Sequence, residues 1–165
     1  GHVSFAPQLD AERALDAFIR MESDYVSVEH FVSGAGLENI YRFLTSTNGE
    51  SGTLNAPEIG ALAVSEDGIA RAAAMMMLGI LGTVIANNIL TFGCWRGAVI
   101  AGGIVPKLAP LIEASPLAHR IRNIGSYTEL MADIPVWLAP DPYAGLRGAQ
   151  AGLVNAHLAP RSLTV

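Results

Sequence analysis

The longest apolar stretch of the chain, AAAMMMLGILGTVIA from Ala72 to Ala86, constrains the fold more than any other feature. Its 15 residues fall short of the roughly 18 that a membrane-spanning helix needs. Gly79, Gly82 and Thr83 also interrupt its apolar character. We therefore expect a helix buried in the core of a globular domain, which other apolar elements of the chain must cover.

Composition limits the classes of protein that this chain can belong to. With 51% hydrophobic and 15% charged residues among 165, it can bury a real core, and we expect one domain over residues 1–165. The net charge of −5 disfavours a nucleic-acid binder. The one cysteine, Cys94, excludes a disulfide framework and fits a reducing, cytoplasmic compartment. The first residues lack a basic segment followed by an apolar one, so we expect no secretory signal peptide.

Periodicity and capping residues predict a helix-rich chain with two short strands. The strands are expected at Ala98–Ala101 and Ile134–Ala139. Two strands cannot form a stable sheet by themselves, so either the helices pack mainly on each other or the rest of the sheet lies elsewhere. The segment Thr45–Pro57 is rich in Ser, Thr, Asn and Gly, which predicts an exposed loop rather than a domain boundary.

Specific residues are predicted to start the helices. We expect a helix over residues 107–114 and a last helix from about Leu146 to Leu158. The predicted starts, in chain order, are Asp10, Asn55 with Pro57, Ser65-Glu66-Asp67, and a capping box of Ser126 with Glu129.

A pair of glycines follows the first predicted strand, in the stretch VIAGGIVPKL from Val99 to Leu108. Glycine permits positive φ and lets another body approach the backbone, because it has no Cβ. Gly102 and Gly103 therefore form either a tight corner between a strand and a helix or a floor on which a flat ligand rests. The chain contains neither the dinucleotide fingerprint G-x-G-x-x-G at this place nor a P-loop.

The polar residues with functional potential give weak signals when each is taken alone. Glu29 precedes His30 and the turn SGAG, and exposure statistics favour a solvated residue over a ligand contact. His2 lies near the first residue, and His119 and His157 show no metal-ligand spacing. Ser33 lacks the surroundings of a hydrolase nucleophile.

Taken together, several stretches resemble the C-terminal half of bacterial glucokinases, relatives of the hexokinases with the actin-like ATPase fold. The resemblance covers nearly the whole chain in the family's order. It therefore implies an α/β, helix-rich fold, the C-terminal part of an actin-like (ribonuclease H-like) large domain. The stretches are GHVSFAP, VEHFVSGAGLENIYR, LGTVIANNILTFG, GAVIAGGIVPKL, ASPL, DIPVWL and GLRGAQAGL.

The resemblance also implies roles for individual residues. His2 matches a histidine that binds glucose hydroxyls in the family, and Glu29 matches its second sugar-binding glutamate. Gly102, Gly103 and Ile104 lie in the segment that matches the adenosine-binding one. The family's phosphate loops and its catalytic aspartate belong to the N-terminal half, which this chain lacks. The implied activity is the phosphorylation of glucose by ATP with Mg²⁺ in the intact protein, and we expect no turnover from this chain alone.

The chain departs from the family pattern at two places. Ala35 replaces a proline in the turn after Ser33, and the segment FGCWRGAV is bulkier than usual, with no role assigned to Trp95 and Arg96. Two other functions stay open: the sugar-sensing domain of a transcriptional regulator, and a binding domain without kinase activity. We also expect the chain to self-associate, because its strands would have exposed edges.

Overall fold

The long apolar helix is the central element of the fold. The computed structural model describes residues 1–141 and 143–155, and the predicted helix end at His157 and Leu158 lies outside them. The elements in chain order are α1 (Asp10–Arg20), α2 (Gly34–Thr47), α3 (Ala56–Ser65), α4 (Ile69–Phe92), β1 (Ala98–Ile100), α5 (Leu117–Arg122), α6 (Thr128–Ala132), β2 (Val136–Leu138) and α7 (Ala144–Val154).

Helix α4 is longer than the apolar stretch that predicts it. Its 24 residues are long and apolar enough to cross a membrane by length and composition alone, with a mean hydropathy of 1.9 over the most apolar window. However, 56% of that window is buried within the protein. Met77, Leu78 and Ile80 are fully enclosed. Helices α2, α3 and α5 pack against α4, as expected for a core helix.

The two predicted strands form one short parallel pair. Ala98 lies opposite Val136, and Ile100 lies opposite Leu138. The inner face packs on the core, whereas Val99 and Trp137, which are directly opposite each other, are 64% and 53% exposed. Parallel sheets normally have both faces covered. The pair therefore presents an apolar face to solvent in this chain.

A buried ion pair joins the first helix to α5. Arg120 donates to both carboxylate oxygens of Glu12, at 2.8 and 3.3 Å, and its Nε donates to the hydroxyl of Thr83 in α4 at 2.9 Å. The side chain of Glu12 is only 2% exposed and that of Arg120 only 13%. Three helices are thus joined by groups that would be costly to leave unpaired.

Of the first three predicted helix starts, the one at Asn55 is correct and the other two are wrong. Asn55 caps α3, and its Oδ1 accepts from the amide of Glu58 while the Glu58 carboxylate accepts from the amide of Asn55. Asp10 is not a cap, because Leu9 precedes the helix and Glu12 accepts from the Leu9 amide at 3.2 Å. The long helix starts after Gly68, whose φ of +147° only glycine adopts readily, and not at Ser65–Asp67.

The helix predicted over residues 107–114 and the helix start predicted at Ser126 also need correction. Residues 107–114 were expected to be α-helical, but a 3-10 helix runs over Val105–Leu111, because Pro110 lacks the amide that an α-helix would use. The Ser126–Glu129 capping box does not form. Instead a 3-10 turn over Gly125–Tyr127 precedes α6, and the Thr128 hydroxyl donates to the Gly125 carbonyl.

Candidate functional site

The first five residues pair with the segment that carries Glu29. The amide of Val28 donates to the carbonyl of Val3, and the amide of Glu29 donates to the carbonyl of Gly1, each at 2.9 Å. Ser4 and Ser27 form an isolated antiparallel β-bridge next to these bonds. The backbone pairing therefore places the two residues predicted to bind sugar, His2 and Glu29, in adjacent segments of the chain.

Both of these side chains remain accessible. His2 and Glu29 are exposed, while Phe5 anchors the first segment by packing on Phe31 with ring centroids 4.6 Å apart. The Tyr25 hydroxyl donates to the carbonyl of His2 at 2.8 Å. A rigid, buried base thus supports a polar surface to which hydroxyl groups could bind.

Hydrogen bonds hold the Glu29 turn on both sides. The turn is a 3-10 helix over Val28–His30, and the amide of Ser27 donates to Nδ1 of His30 at 3.1 Å. Because Nδ1 accepts this bond, the neutral ring carries its proton on Nε2. The hydroxyl of Ser33 donates to the carbonyl of Glu29 at 2.7 Å, and the Asn39 amide group donates to the carbonyl of His30 at 3.1 Å.

Helix α2 starts directly after this turn. The Ser33 hydroxyl accepts from the amide of Gly36 at 2.9 Å and so caps the helix. Gly36 lies against the backbone of Phe31, where a Cβ would stand only 2.4 Å from the carbonyl carbon. The sequence SGAG is therefore a helix start with close backbone packing, and α2 begins at Gly34 rather than after a separate glycine turn.

The predicted nucleotide segment forms a loop after β1. Gly102 has φ of +129°, a conformation that favours glycine, and a Cβ on Gly102 or Gly103 would meet no atom within 4 Å. Close packing within the protein therefore does not explain why these two positions are glycine. The positive φ of Gly102 agrees with the tight corner, and the open surface at both glycines leaves room for a ligand, so this geometry is compatible with both sequence-based interpretations.

Two cavities flank this loop, and Gly103 and Ile104 line both of them. The first, of about 230 Å³, is otherwise lined by Lys107 and by apolar or small residues of the neighbouring helices. These residues are Leu37, Ala56, Pro57, Gly60 and Leu108. An apolar slot with one cation at its wall suits a flat, weakly polar ring that carries negative groups.

The second cavity, of about 140 Å³, connects the loop to the turn that follows Glu29. Gly102 and Gly103 form one wall, and Val32 and Ser33 form another. Ser33 also donates to the backbone carbonyl of Glu29. Ser33 therefore lies between the Glu29 turn and the cavity beside Gly102 and Gly103.

The first cavity itself escapes sequence reasoning. Gly60 of α3 lines it although no local motif marks this residue, and Pro57 and Lys107 lie in stretches that were singled out for other reasons. Among residues 1–141 and 143–155, no group of three or more His, Cys, Asp or Glu side chains is arranged to hold a metal ion. Ser33 carried a detectable signal, because a serine directly before a helix with glycines in its first turn is typical of a cap.

Comparisons of sequence identify relatives over nearly the whole chain. The family model described as Glucokinase matches residues 1–156. The glucokinase of Chromobacterium violaceum is 37% identical over 164 residues, which cover 98% of this chain and 47% of the relative. The glucokinase of Neisseria gonorrhoeae is 35% identical, with 94% and 48% covered. The chain thus spans about half the length of these curated relatives.

Solved structures agree with the sequence matches. A crystal structure of a glucokinase from an Antarctic psychrotroph matches with a TM-score of 0.81 and 28% identity, over 92% of this chain and 48% of that one. The glucokinase of Balamuthia mandrillaris in complex with glucose matches with a TM-score of 0.75 and 21% identity, over 86% and 42%. At that identity the second match bears on the fold alone. The expected helix-rich part of an α/β kinase fold is confirmed.

Proposed function

Because this chain belongs to the glucokinase family, we propose that it forms part of an enzyme that transfers the γ-phosphoryl group of ATP to glucose. The products are ADP and glucose 6-phosphate. One observation carries the proposal beyond family membership: the Ser33 turn connects the Glu29 segment to the cavity along Gly102 and Gly103. A kinase for a small substrate needs its sugar and its nucleotide side by side in this way.

On the sugar side, we propose that His2 and Glu29 bind hydroxyl groups of glucose. A carboxylate accepts hydrogen bonds from two hydroxyl groups, and an imidazole adds a donor or an acceptor. The exposure of both side chains and the backbone pairing of their segments support this assignment. A site that hydrogen-bonds each hydroxyl rejects sugars that lack one, because its own polar groups then stay unpaired.

On the nucleotide side, we assign the adenosine of ATP to the loop of Gly102, Gly103 and Ile104. No atom of residues 1–141 and 143–155 lies within 4 Å of the Cβ positions of the two glycines, which supports this assignment, as do the flanking cavities. The groups of this chain would bind and orient the nucleoside. Phosphoryl transfer depends mainly on positioning the two substrates and on stabilising charge on the moving group.

The reaction requires groups that we place in the rest of the protein. The 6-hydroxyl oxygen of glucose attacks the γ-phosphorus, the bond to the β,γ-bridging oxygen breaks, and a base accepts the hydroxyl proton. The resemblance puts this base and the phosphate loops in the N-terminal half. We assign Mg²⁺ to the intact enzyme together with ATP, and we derive no step from a metal held by this chain.

The test is a coupled assay of the full-length protein with glucose and ATP, in which glucose 6-phosphate is oxidised and NADPH is recorded. We expect turnover that depends on both substrates. Glu29→Gln should raise the KM for glucose roughly tenfold to a hundredfold, the range for a hydrogen bond to a charged group. The matched control is Glu113→Gln, an exposed carboxylate outside both cavities, which should leave KM unchanged.

Failure to form glucose 6-phosphate would refute the proposal, and equal KM values for the two variants would refute the role of Glu29. Neither the regulator nor the non-catalytic binding domain is favoured by a feature of the described residues.

We retain the cytoplasm as the proposed compartment, supported by the lone exposed thiol of Cys94.

The isolated chain is a separate matter from the intact enzyme. The β1–β2 pair has open edges, and its outer face exposes Val99 and Trp137. Unpaired strand edges invite pairing with another chain. We propose that the isolated chain self-associates and does not turn over, and light scattering that gives a monomer at working concentration would contradict this.

A further inference from the structure

We propose that Ser33 is a positioning residue that couples sugar binding to nucleotide binding. The inference rests on the proposed function, because it assigns a role to the residue between the two proposed substrate sites. It goes beyond that function by predicting that each substrate changes the affinity for the other. The coupling acts through one hydroxyl group that contacts both sides.

The first observation is the double role of this hydroxyl. Oγ of Ser33 donates to the carbonyl of Glu29 at 2.7 Å and accepts from the amide of Gly36 at 2.9 Å. A serine hydroxyl has one proton to donate and lone pairs to accept, so both bonds can exist together. The position of Ser33 therefore determines both the position of the Glu29 peptide and the start of α2.

The second observation is that Ser33 borders the cavity beside the nucleotide loop. It lines this 140 Å³ space together with Gly102, Gly103 and Ile104. A nucleoside that extends along Gly102 and Gly103 into this second cavity therefore lies next to Ser33. Any displacement of Ser33 is then transmitted to the carbonyl of Glu29, since one short hydrogen bond joins them.

The third observation is that the surrounding backbone has little freedom to absorb such a displacement. The amide of Glu29 is held by the carbonyl of Gly1, and the carbonyl of His30 is held by Asn39. Gly36 lies so close to Phe31 that not even a Cβ fits between them. Packed groups of this kind transmit small shifts instead of dissipating them.

Three variants separate the coupling from simple helix capping. Ser33→Asp keeps an acceptor for the Gly36 amide, and aspartate is among the best N-caps, but its carboxylate has no proton for the Glu29 carbonyl. Ser33→Thr keeps both hydrogen bonds, and Ser33→Ala loses both. A purely structural role predicts that the Asp variant behaves like wild type, whereas coupling predicts that it behaves like the Ala variant.

The experiment is calorimetric titration of the full-length protein. The Kd for glucose is measured with and without saturating AMP-PNP and Mg²⁺, and the Kd for AMP-PNP is measured with and without saturating glucose. For wild type and Ser33→Thr we expect each ligand to tighten the other at least about fivefold, by the same factor in both directions. For Ser33→Asp and Ser33→Ala we expect a factor close to one.

The matched control is Ser115→Ala. The Ser115 hydroxyl also donates to a carbonyl, that of Ile112 at 2.7 Å, and accepts from the amide of Leu117 at 3.3 Å. It lines neither cavity, so this variant should keep the wild-type coupling factor.

Each other result overturns the inference. If wild type binds both ligands independently, or if Ser33→Asp keeps the wild-type factor, Ser33 does not couple the sites and the proposed function still stands. If wild type binds neither glucose nor AMP-PNP, the proposed function fails and the coupling fails with it.

Discussion

The carboxylate of Glu29 occupies the space that a side chain on Gly1 would need. A Cβ built on Gly1 would stand 2.7 Å from Oε2 of Glu29, and the amide of Glu29 donates to the Gly1 carbonyl at 2.9 Å. Two residues that are distant in sequence thus determine each other's conformation. The glycine leaves room for the acid, and the acid's own backbone holds the glycine in place.

Gly1→Ala should therefore weaken glucose binding without weakening the fold. The crowded atom is the end of a flexible side chain, so we expect the carboxylate to turn away while the backbone stays in place. The KM for glucose should rise about tenfold, the low end for losing a charged hydrogen bond, and the midpoint of thermal unfolding should stay the same. Gly145→Ala, where a Cβ meets no atom, is the control.

Gly36→Ala should lower the stability of the protein. Its Cβ would stand 2.4 and 2.6 Å from the carbonyl carbon and oxygen of Phe31, and backbone cannot yield as a side-chain tip does. We expect a loss of about 1–3 kcal/mol in the free energy of unfolding, measured by urea denaturation. Gly34→Ala, two residues earlier, makes only an ordinary 3.6 Å contact with Ala56 and should lose far less.

Gly103→Ala should raise the KM for ATP and leave stability unchanged. The added methyl group meets no protein atom within 4 Å, so folding does not resist it. It does enter the surface that lines both cavities, and it would keep a nucleoside away from the backbone. The control is Gly148→Ala, where a Cβ also meets no atom within 4 Å. An unchanged KM for ATP in Gly103→Ala would show that the nucleotide does not bind at this loop.

Arg120→Met should cost about 3–5 kcal/mol in the free energy of unfolding, because Glu12 is then left buried without its partner. The test is chemical denaturation of this variant beside Asp10→Asn, a carboxylate of α1 that pairs with Arg13 at 2.8 Å. The side chains of Asp10 and Arg13 are 98% and 58% exposed. Since water screens surface pairs, Asp10→Asn should change stability little. Similar losses in both variants would contradict the importance of burial.

Local chemistry predicts the elements of this fold better than their junctions. The β-rich runs around Val99 and Val136 identify both strands, and Asn55 identifies the start of α3. At Asp10 the prediction fails because the helix starts at Asp10 itself, with Leu9 as the residue before it, and Glu12 accepts from the amides of Gln8 and Leu9. Which of several polar residues reaches the free amides depends on the direction from which the chain enters the helix, and sequence does not specify it.

Contacts between distant residues set the other limit. Nothing near Glu12 in sequence indicates that its partner is Arg120, and nothing near Gly60 indicates the cavity beside Gly103. The resemblance to a family supplied His2, Glu29 and the diglycine, whose roles stay predictions. It could not indicate that Ser33 lies between them, because that relationship exists only in three dimensions.

The pairing of β1 with β2 has a consequence for the order in which the chain folds. Residues 101–135 lie between the two strands, so the pair cannot nucleate as a hairpin does. Contacts so far apart in sequence form slowly, whereas α3 and α4 are neighbours along the chain and can dock early. Trp137 lies over Gly97, with Cζ3 only 2.6 Å from the Cβ position of that glycine. The fluorescence of Trp137 should therefore change in the last kinetic phase of refolding, when β1 pairs with β2 after the helices have docked.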